Sequence, residues 1–589
     1  MKLNTLSAAL LCALPMTGAF AAALDRSGQS ISSFLQPNNY FEAGISALSA
    51  DVQGQETDPN TGANRKIDDM AKDYVFANAA IKLQLNDKFS FGLIFDQPFG
   101  ASAAYNGNNF FVAGQGINGA DSVLPKGTLD AMAANKVNET VAALFGTETL
   151  KDPALEAKRN YIATSINAAT EAQFTSTRNT QIAAQTPLAI QKFATDNLGG
   201  NLNQAQAMYN NNISPVAVGP GLADIINSKV QQGVDAALTA NNVKEGIIRP
   251  TVVHTVKNVG ANGQPSVTAQ VQDEVKKAID AVNGTVGAGG GSTKVSVTTE
   301  NLSMLFGFSP IENVTFYAGP VYQSVQGKVS LRGDAYSIYN GYDATIDSTG
   351  GTGWLAGAAY QIPEIALKAS LTYRSEIDHK ADASDVTESI SALSALPLLD
   401  AANGAAIANS IANSKGKTTI TTPKSINLDL QSGIMANTVA FANIRWVNWQ
   451  DFAIRPHQFG LLSNVVGQLP PINRPNGFNL VEYSEDQWSV TAGVGRKFNE
   501  KWAGNVAVGW DSGAGNPVST LGPTEGYYNV GLGLQFSPAA NYFVAGGVKY
   551  FWLGDAKAQT AAQAGSDASV ANFEDNTAVA VGLKLGYRF

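Results

Sequence analysis

Along much of this chain apolar residues recur at every second position, with small or polar residues between them. At the C-terminal end Phe573, Thr577, Val579, Val581, Leu583, Leu585, Tyr587 and Phe589 make one face, and Asn576, Ala578, Ala580, Gly582, Lys584, Gly586 and Arg588 the other. A period of two belongs to a β-strand, and an apolar face with aromatics near its ends suits a lipid-facing band between interfacial girdles. The split recurs at Trp488, Val490, Ala492 and Val494, at Val506, Val508 and Trp510, and at Tyr528, Val530, Leu532, Leu534 and Phe536. A soluble sandwich also alternates, but its exposed face carries more charge than the small residues found here.

Short and long connections alternate between these segments. The short ones lie at Asn86-Asp87-Lys88, Ser309 to Asn313, Ile362-Pro363-Glu364, Met435-Ala436-Asn437, Asn499-Glu500-Lys501 and Ser537 to Asn541, all rich in turn residues. Pairing a strand on each side of every turn, with one more at each end of the barrel, gives about fourteen, an even number as in bacterial barrels. Residues 101–291 break the pattern: Asp152-Pro153 reads as a helix start before Leu155, Ile162, Ile166 and Ala169, and Thr186-Pro187 as a second start ended by Gly199-Gly200. Helical stripes follow at Ile226, Val230, Val234 and Leu238, and at Val267, Val271, Val275, Ile279 and Val282. The fold class expected is therefore all-β: a transmembrane antiparallel β-barrel of about fourteen strands with a helix-rich extracellular insertion.

Composition narrows the compartment. A basic start at Lys2, an apolar run too short to span a bilayer and a small-residue run at 19–23 read as an export signal over residues 1–23. Cys12 is the only cysteine, so disulfides and thiolate metal sites are not expected in the mature chain. A charged fraction of 15% with 57 glycines suits a barrel wall, and a net charge of −9 argues against nucleic acid as a partner. His254, His379 and His457 are the only histidines, and none has a serine and an acid at a catalytic spacing. All three are expected at the surface, and neither an enzyme nor a metal or other cofactor is expected.

Several pieces resemble the FadL family of outer-membrane transporters, which includes long-chain fatty acid and aromatic hydrocarbon channels. They are Leu24-Asp25-Arg26-Ser27-Gly28, Leu371-Thr372-Tyr373-Arg374-Ser375-Glu376 leading to Ser384-Asp385, residues 446–452, Gly509-Trp510-Asp511-Ser512 with Pro517, and the terminal Leu585-Gly586-Tyr587-Arg588-Phe589. The resemblance implies a fourteen-stranded barrel with an N-terminal plug and a third strand kinked to open the wall sideways. The plug falls on residues 24–39, with Ile31, Phe34 and Leu35 as its apolar cluster and Gln36-Pro37-Asn38 where the family has Asn-Pro-Ala; a disordered leader is the alternative. Barrel strands then occupy residues 40–100 and 292–589, leaving 101–291 unmatched.

A hydrophobic solute needs apolar surfaces for capture and a route back to lipid, because exposing apolar area to water costs about 25 cal/mol per Å². The candidate lateral gate is Asp96, Gln97, Pro98, Phe99 and Gly100, where a proline either ends the third strand or kinks it. Candidate substrate contacts are Phe34 and Leu35 in the plug and Leu396, Leu398 and Leu399 in a loop. That loop is either a capture groove or a packing face against the insertion. Lys328, Arg332 and Arg374 are either a site for a carboxylate or solvated lumen charges. The expectation is a monomer whose partners are outer-membrane lipid and a hydrophobic small molecule, a fatty acid first, with an alkane or aromatic hydrocarbon as the alternative. A lipid hydrolase or a general porin is the reading of another class.

Overall fold

The computed structural model describes residues 25–57, 64–113, 128–260, 263–285, 290–387, 390, 401–468 and 472–589. The expected export signal lies outside them. The chain divides into two compact units, Met1–Leu129 with Ile279–Phe589, and Asp130–Ala278.

The first unit is a closed antiparallel barrel of fourteen strands. In chain order they are β1 Tyr40–Asp51, β2 Tyr74–Gln84, β3 Phe89–Asp96 resuming as Gly100–Ala104, β4 Lys294–Ile311, β5 Val314–Leu331, β6 Tyr342–Ile362 and β7 Leu367–Arg374 resuming as Ile377–Thr387. The circuit continues with β8 Lys417–Thr422 resuming as Ser425–Met435, β9 Thr438–Val447, β10 Gln487–Lys497, β11 Trp502–Asp511, β12 Tyr527–Ala539, β13 Tyr542–Leu553 and β14 Thr577–Arg588. β14 closes the wall on β1 from Tyr40↔Arg588 to Asp51↔Thr577, so among the described residues every barrel strand has a neighbour on both sides. The six short turns join β2 to β3, β4 to β5, β6 to β7, β8 to β9, β10 to β11 and β12 to β13, all at one end of the barrel.

Strand parity sorts the side chains. Val579, Val581, Leu583, Leu585 and Tyr587 are exposed on β14, whereas Ala578, Ala580 and Lys584 are buried. Aromatics pair across strands on the outer face, at the turn end as Phe89–Phe308 and Trp502–Phe536 and farther along the wall as Trp354–Tyr373. Phe573 departs from the expected lipid face: it is fully buried in Ala571–Phe573, part of a small separate sheet with Gly54–Thr57, Asn64–Ile67, Ala556–Gln559 and Val518–Ser519 at the loop end. A break at Glu574 to Asn576 separates it from β14, so the strand's parity does not carry across.

The second unit is helical. Asp152 caps the helix Pro153–Asn197 by accepting from the Ala154 N–H, and Gly199 and Gly200, both at positive φ, follow its end. Thr186-Pro187 does not restart a helix; Pro187 lies inside this 45-residue element. The reason is tertiary packing. Ile190 and Ala194 beyond the proline bury against Ile226, Val230, Val234 and Leu238, continuing the apolar stripe of Phe174 and Ile182 and outweighing the lost backbone bond. Thr186 Oγ1 donates to the Ile182 carbonyl at 2.8 Å instead of capping. A second cluster holds Val141, Ile162, Ile166, Val252, Val267 and Val271, while Ala169 is exposed and Thr170 takes the buried position.

Candidate functional site: plug, lumen and wall break

β3 is interrupted rather than ended at Pro98. Asp96 pairs with Asn301 and Gly100 with Thr298, so three residues on β3 face two on β4. Proline contributes no N–H at the centre of this bulge, and the strand re-enters register only after it. The consequence falls on the other side of β3. Its ladder with β2 runs from Gln84↔Ser90 to Ala79↔Phe95 and stops there, although β2 continues to Tyr74 in register with β1. Past Phe95 two side chains bridge the staves: Gln97 Oε1 accepts from the Ala77 N–H at 3.3 Å, and the Tyr74 hydroxyl donates to the Ser102 carbonyl at 3.2 Å.

The N-terminal segment lies inside the barrel against this break. The Arg26 and Ser27 N–H groups donate to the Pro98 carbonyl at 2.6 and 3.4 Å, and Asp25 bridges to Phe99. Ser27 Oγ donates to Asp96 Oδ2 at 2.7 Å, while Asn301 Nδ2 donates to Asp96 Oδ1 at 2.9 Å. Gly100 is required by the approach: a Cβ there would lie 2.2 Å from the Arg26 guanidinium carbon. Phe99 is buried edge-on against Trp449 at 5.5 Å.

Two arginines fasten the same segment elsewhere on the wall. Arg445 Nε donates to Asp25 Oδ2 at 2.7 Å, Nη1 to Asn427 Oδ1 at 2.6 Å and Nη2 to Gln29 Oε1 at 3.1 Å. Arg374 Nη2 donates to the Gln29 carbonyl at 2.9 Å. Burial of the Arg445–Asp25 pair costs desolvation, which the attraction of the two charges offsets together with these extra hydrogen bonds. Further along, Ile31, Phe34 and Leu35 pack into a cluster with Ile94, Leu305 and Leu355. Phe34 meets Tyr317 edge-on at 5.9 Å, and its ring fits only because residues 92 and 307 are glycines, where added Cβ atoms would fall 2.5 and 2.9 Å from it.

The plug separates two cavities of different character. The one toward the turn end encloses about 1360 Å³ of empty space, its open side included, and is lined by polar groups that include Glu42, Lys368, Asp429, Lys549 and Lys584. The Lys584 ammonium pairs with Glu42 at 3.1 Å, both buried. The cavity toward the loop end encloses about 1080 Å³ and is lined largely by aliphatic side chains such as Leu48, Val52, Met70, Val295, Val329 and Ile346, with Arg26 and Tyr74 among them. Both cavities border the wall break, the first at Ala77 and Gln97, the second at Tyr74 and Ser102.

The basic residues singled out by sequence do not converge. Lys328 is exposed on the outer face of β5, on the parity of Phe316 and Tyr322 rather than of the lumen. Arg332 is spent on a bidentate contact with Asp343 and on the carbonyls of Gly290, Leu331 and Tyr342. Arg374 is buried and serves the plug. Phe34 and Leu35 are packed against the wall rather than lining either cavity. Leu396, Leu398 and Leu399 lie outside the described residues. Arg26, Tyr74 and Arg445 were not foreseen. The available signal was Arg445 inside a strand between outward-facing Ile444 and Trp446, and a charged Asp25-Arg26 pair in an otherwise uncharged segment.

The histidines are not all superficial. His379 is fully buried, its Nε2 3.1 Å from Gln323 Oε1 and its Nδ1 3.2 Å from the Thr349 carbonyl. His457 Nε2 lies 2.7 Å from Ser414 Oγ. Its Nδ1 faces Gly416, where an added Cβ would lie 2.2 Å away, and among the described residues no carboxylate bonds it, so the pair lacks the orienting acid of a hydrolytic triad.

No family model matches this sequence, and no curated relative does. Among solved structures the chain is similar to a Pseudomonas aeruginosa FadL homologue, with 11% identity, a TM-score of 0.48 and coverage of 98% of this chain and 99% of that one. It is also similar to the Pseudomonas putida toluene transporter TodX, with 10% identity, a TM-score of 0.43 and coverage of 95% and 91%. The Ralstonia pickettii toluene transporter TbuX gives 9%, 0.41, 98% and 97% in the same order. The architecture described above stands on the strand register of this chain.

Proposed function

We propose that this chain is a FadL-type channel of the outer membrane that takes up hydrophobic small molecules, long-chain fatty acids first among them, and releases them sideways through the break between β2 and β3. The observation that carries the reading is an aliphatic cavity stopped below by the plug and bordered by a stretch of wall without a backbone ladder. A greasy solute entering from the long-loop side gains by burial there, at about 25 cal/mol per Å². Straight ahead lies a lumen of lysines and carboxylates that it would have to strip of their hydration. The break offers a shorter step into lipid.

This reading differs from a general porin, whose lumen is open to water, and from a lipid hydrolase, which needs an activated nucleophile. Deleting Pro98 tests it. The deletion leaves two residues on β3 facing two on β4, which restores continuous pairing with β4 and lets β3 carry its ladder with β2 past Phe95. Cells carrying this variant as a folded barrel should take up radiolabelled long-chain fatty acid no faster than cells without the protein. Uptake at the unaltered rate would rule out lateral release. Ester hydrolysis by the purified protein, or glucose flux through it in liposomes, would favour the other classes.

A further inference from the structure

The helical unit carries an apolar surface that its own packing leaves unused. Between the helices Leu202–Asn210 and Leu222–Ala240 runs a loop, residues 213–220, in which Ile213, Val216 and Val218 are 49%, 59% and 93% exposed. The core beneath is complete without them, since Ala205, Leu222 and Ile226 close it with Ile190. The loop is also held in shape. The Leu222 N–H donates to the Ile213 carbonyl at 3.0 Å and the Ile213 N–H to the Met208 carbonyl at 2.8 Å, while Asn212 Oδ1 accepts from the Ala223 and Asp224 N–H groups at 3.0 and 3.2 Å. Pro215 and Pro220 fix φ on either side of the tip, so presenting the two valines costs little further chain entropy on contact.

The surroundings of the tip select its partner. No charged residue occurs from Asn197 to Ala223, in a chain with 15% charged residues. Anchors for anionic membranes set Lys or Arg beside their apolar residues, and this stretch has neither. Protein interfaces are built on aromatic or arginine anchors, whereas the nearest aromatic here, Tyr209, donates its hydroxyl to Asn227 at 2.7 Å and packs against the helical core. The flanking prolines oppose the strand pairing by which a second copy would add to Val216-Ala217-Val218. An apolar liquid asks only for greasy area, with no matching polar groups and no charge.

We propose that this loop is an adsorption site for an uncharged oil surface, into which Val216 and Val218 dip while the base of the loop stays in water. The site is distinct from passage through the barrel and does not depend on it.

The test uses the full-length protein in phosphatidylcholine nanodiscs, mixed with a hexadecane-in-water emulsion and floated through a density gradient. Discs that carry the protein should rise with the droplets, and empty discs should not. Val216→Asp with Val218→Asp should lower the bound-to-free ratio by about tenfold or more, because two apolar contacts are lost and two charges would have to shed water. Val216→Thr with Val218→Thr keeps the size of both side chains and should fall between. Raising salt from about 0.05 to about 0.5 M should leave flotation undiminished, since an apolar contact is not screened. Wild-type protein that does not float, equal flotation of wild type and both double variants, or flotation lost at high salt overturns the site. Sedimentation in which wild-type discs pair and the Asp variant stays single would assign the loop to a second copy of this chain and overturn it equally. If the Asp variant does not assemble, the Thr variant decides alone.

Discussion

The Arg26 N–H donates to the Pro98 carbonyl at 2.6 Å, tying the plug to a stretch of β3 that has lost its ladder with β2. A carbonyl freed by the bulge would otherwise face the lumen without a partner. The plug's first turn therefore replaces part of the missing sheet, and the stopper and the wall break form one hydrogen-bonded unit.

The opposite fastening is ionic. Arg445→Ala leaves Asp25 buried and uncompensated, and breaking such a pair costs about 3–5 kcal/mol. The plug should then undock part of the time, seen as raised single-channel conductance in planar bilayers. Exchanging both partners together, Asp25→Asn with Arg445→Met, should raise conductance less than Arg445→Ala alone. Equal conductance for wild type and Arg445→Ala would show that the pair does not hold the plug.

The glycines under Phe34 are a steric counterpart. Gly92→Ala places a methyl 2.5 Å from the Phe34 ring, so the ring or the strand must move. Protease sensitivity of the N-terminal segment should rise in Gly92→Ala and fall back when Phe34→Leu is added. A smaller side chain removes the overlap, so failure of the second substitution to protect would contradict the packing described.

In the helical unit Pro187 occupies an interior helix position, which costs up to about 3 kcal/mol. Pro187→Ala should raise the midpoint of the helical transition followed by circular dichroism of the full chain. A lowered midpoint would mean that the proline's shape is needed for the packing of Ile190 and Ala194.

How far the sequence revealed this depends on what each residue answers to. Parity alone placed Val579 to Tyr587 outward and Lys584 inward, because lipid and lumen impose opposite demands on alternate positions. The same parity puts Lys328 with Phe316 and Tyr322 on the outside, and the resemblance-based lumen role ran against it. Arg332 and Arg374 carry the right charge, but their partners, Asp343 and the Gln29 carbonyl, are fixed by tertiary contacts that no local pattern encodes. For the same reason Pro98 read equally as an ending or a kink: only the resumption of pairing at Gly100↔Thr298 separates the two. Pro187 read as a helix start because the neighbours that keep the helix going lie on another helix.

The central claim is the path, and photo-cross-linking reads it directly. A diazirine-bearing long-chain fatty acid, loaded from the extracellular side of cells and irradiated during uptake, should label residues 74–79 and 97–102, the two sides of the break, when the modified peptides are identified by mass spectrometry. Labelling of the turn-end lumen around Lys368, Lys549 and Lys584, with none at the break, would contradict it.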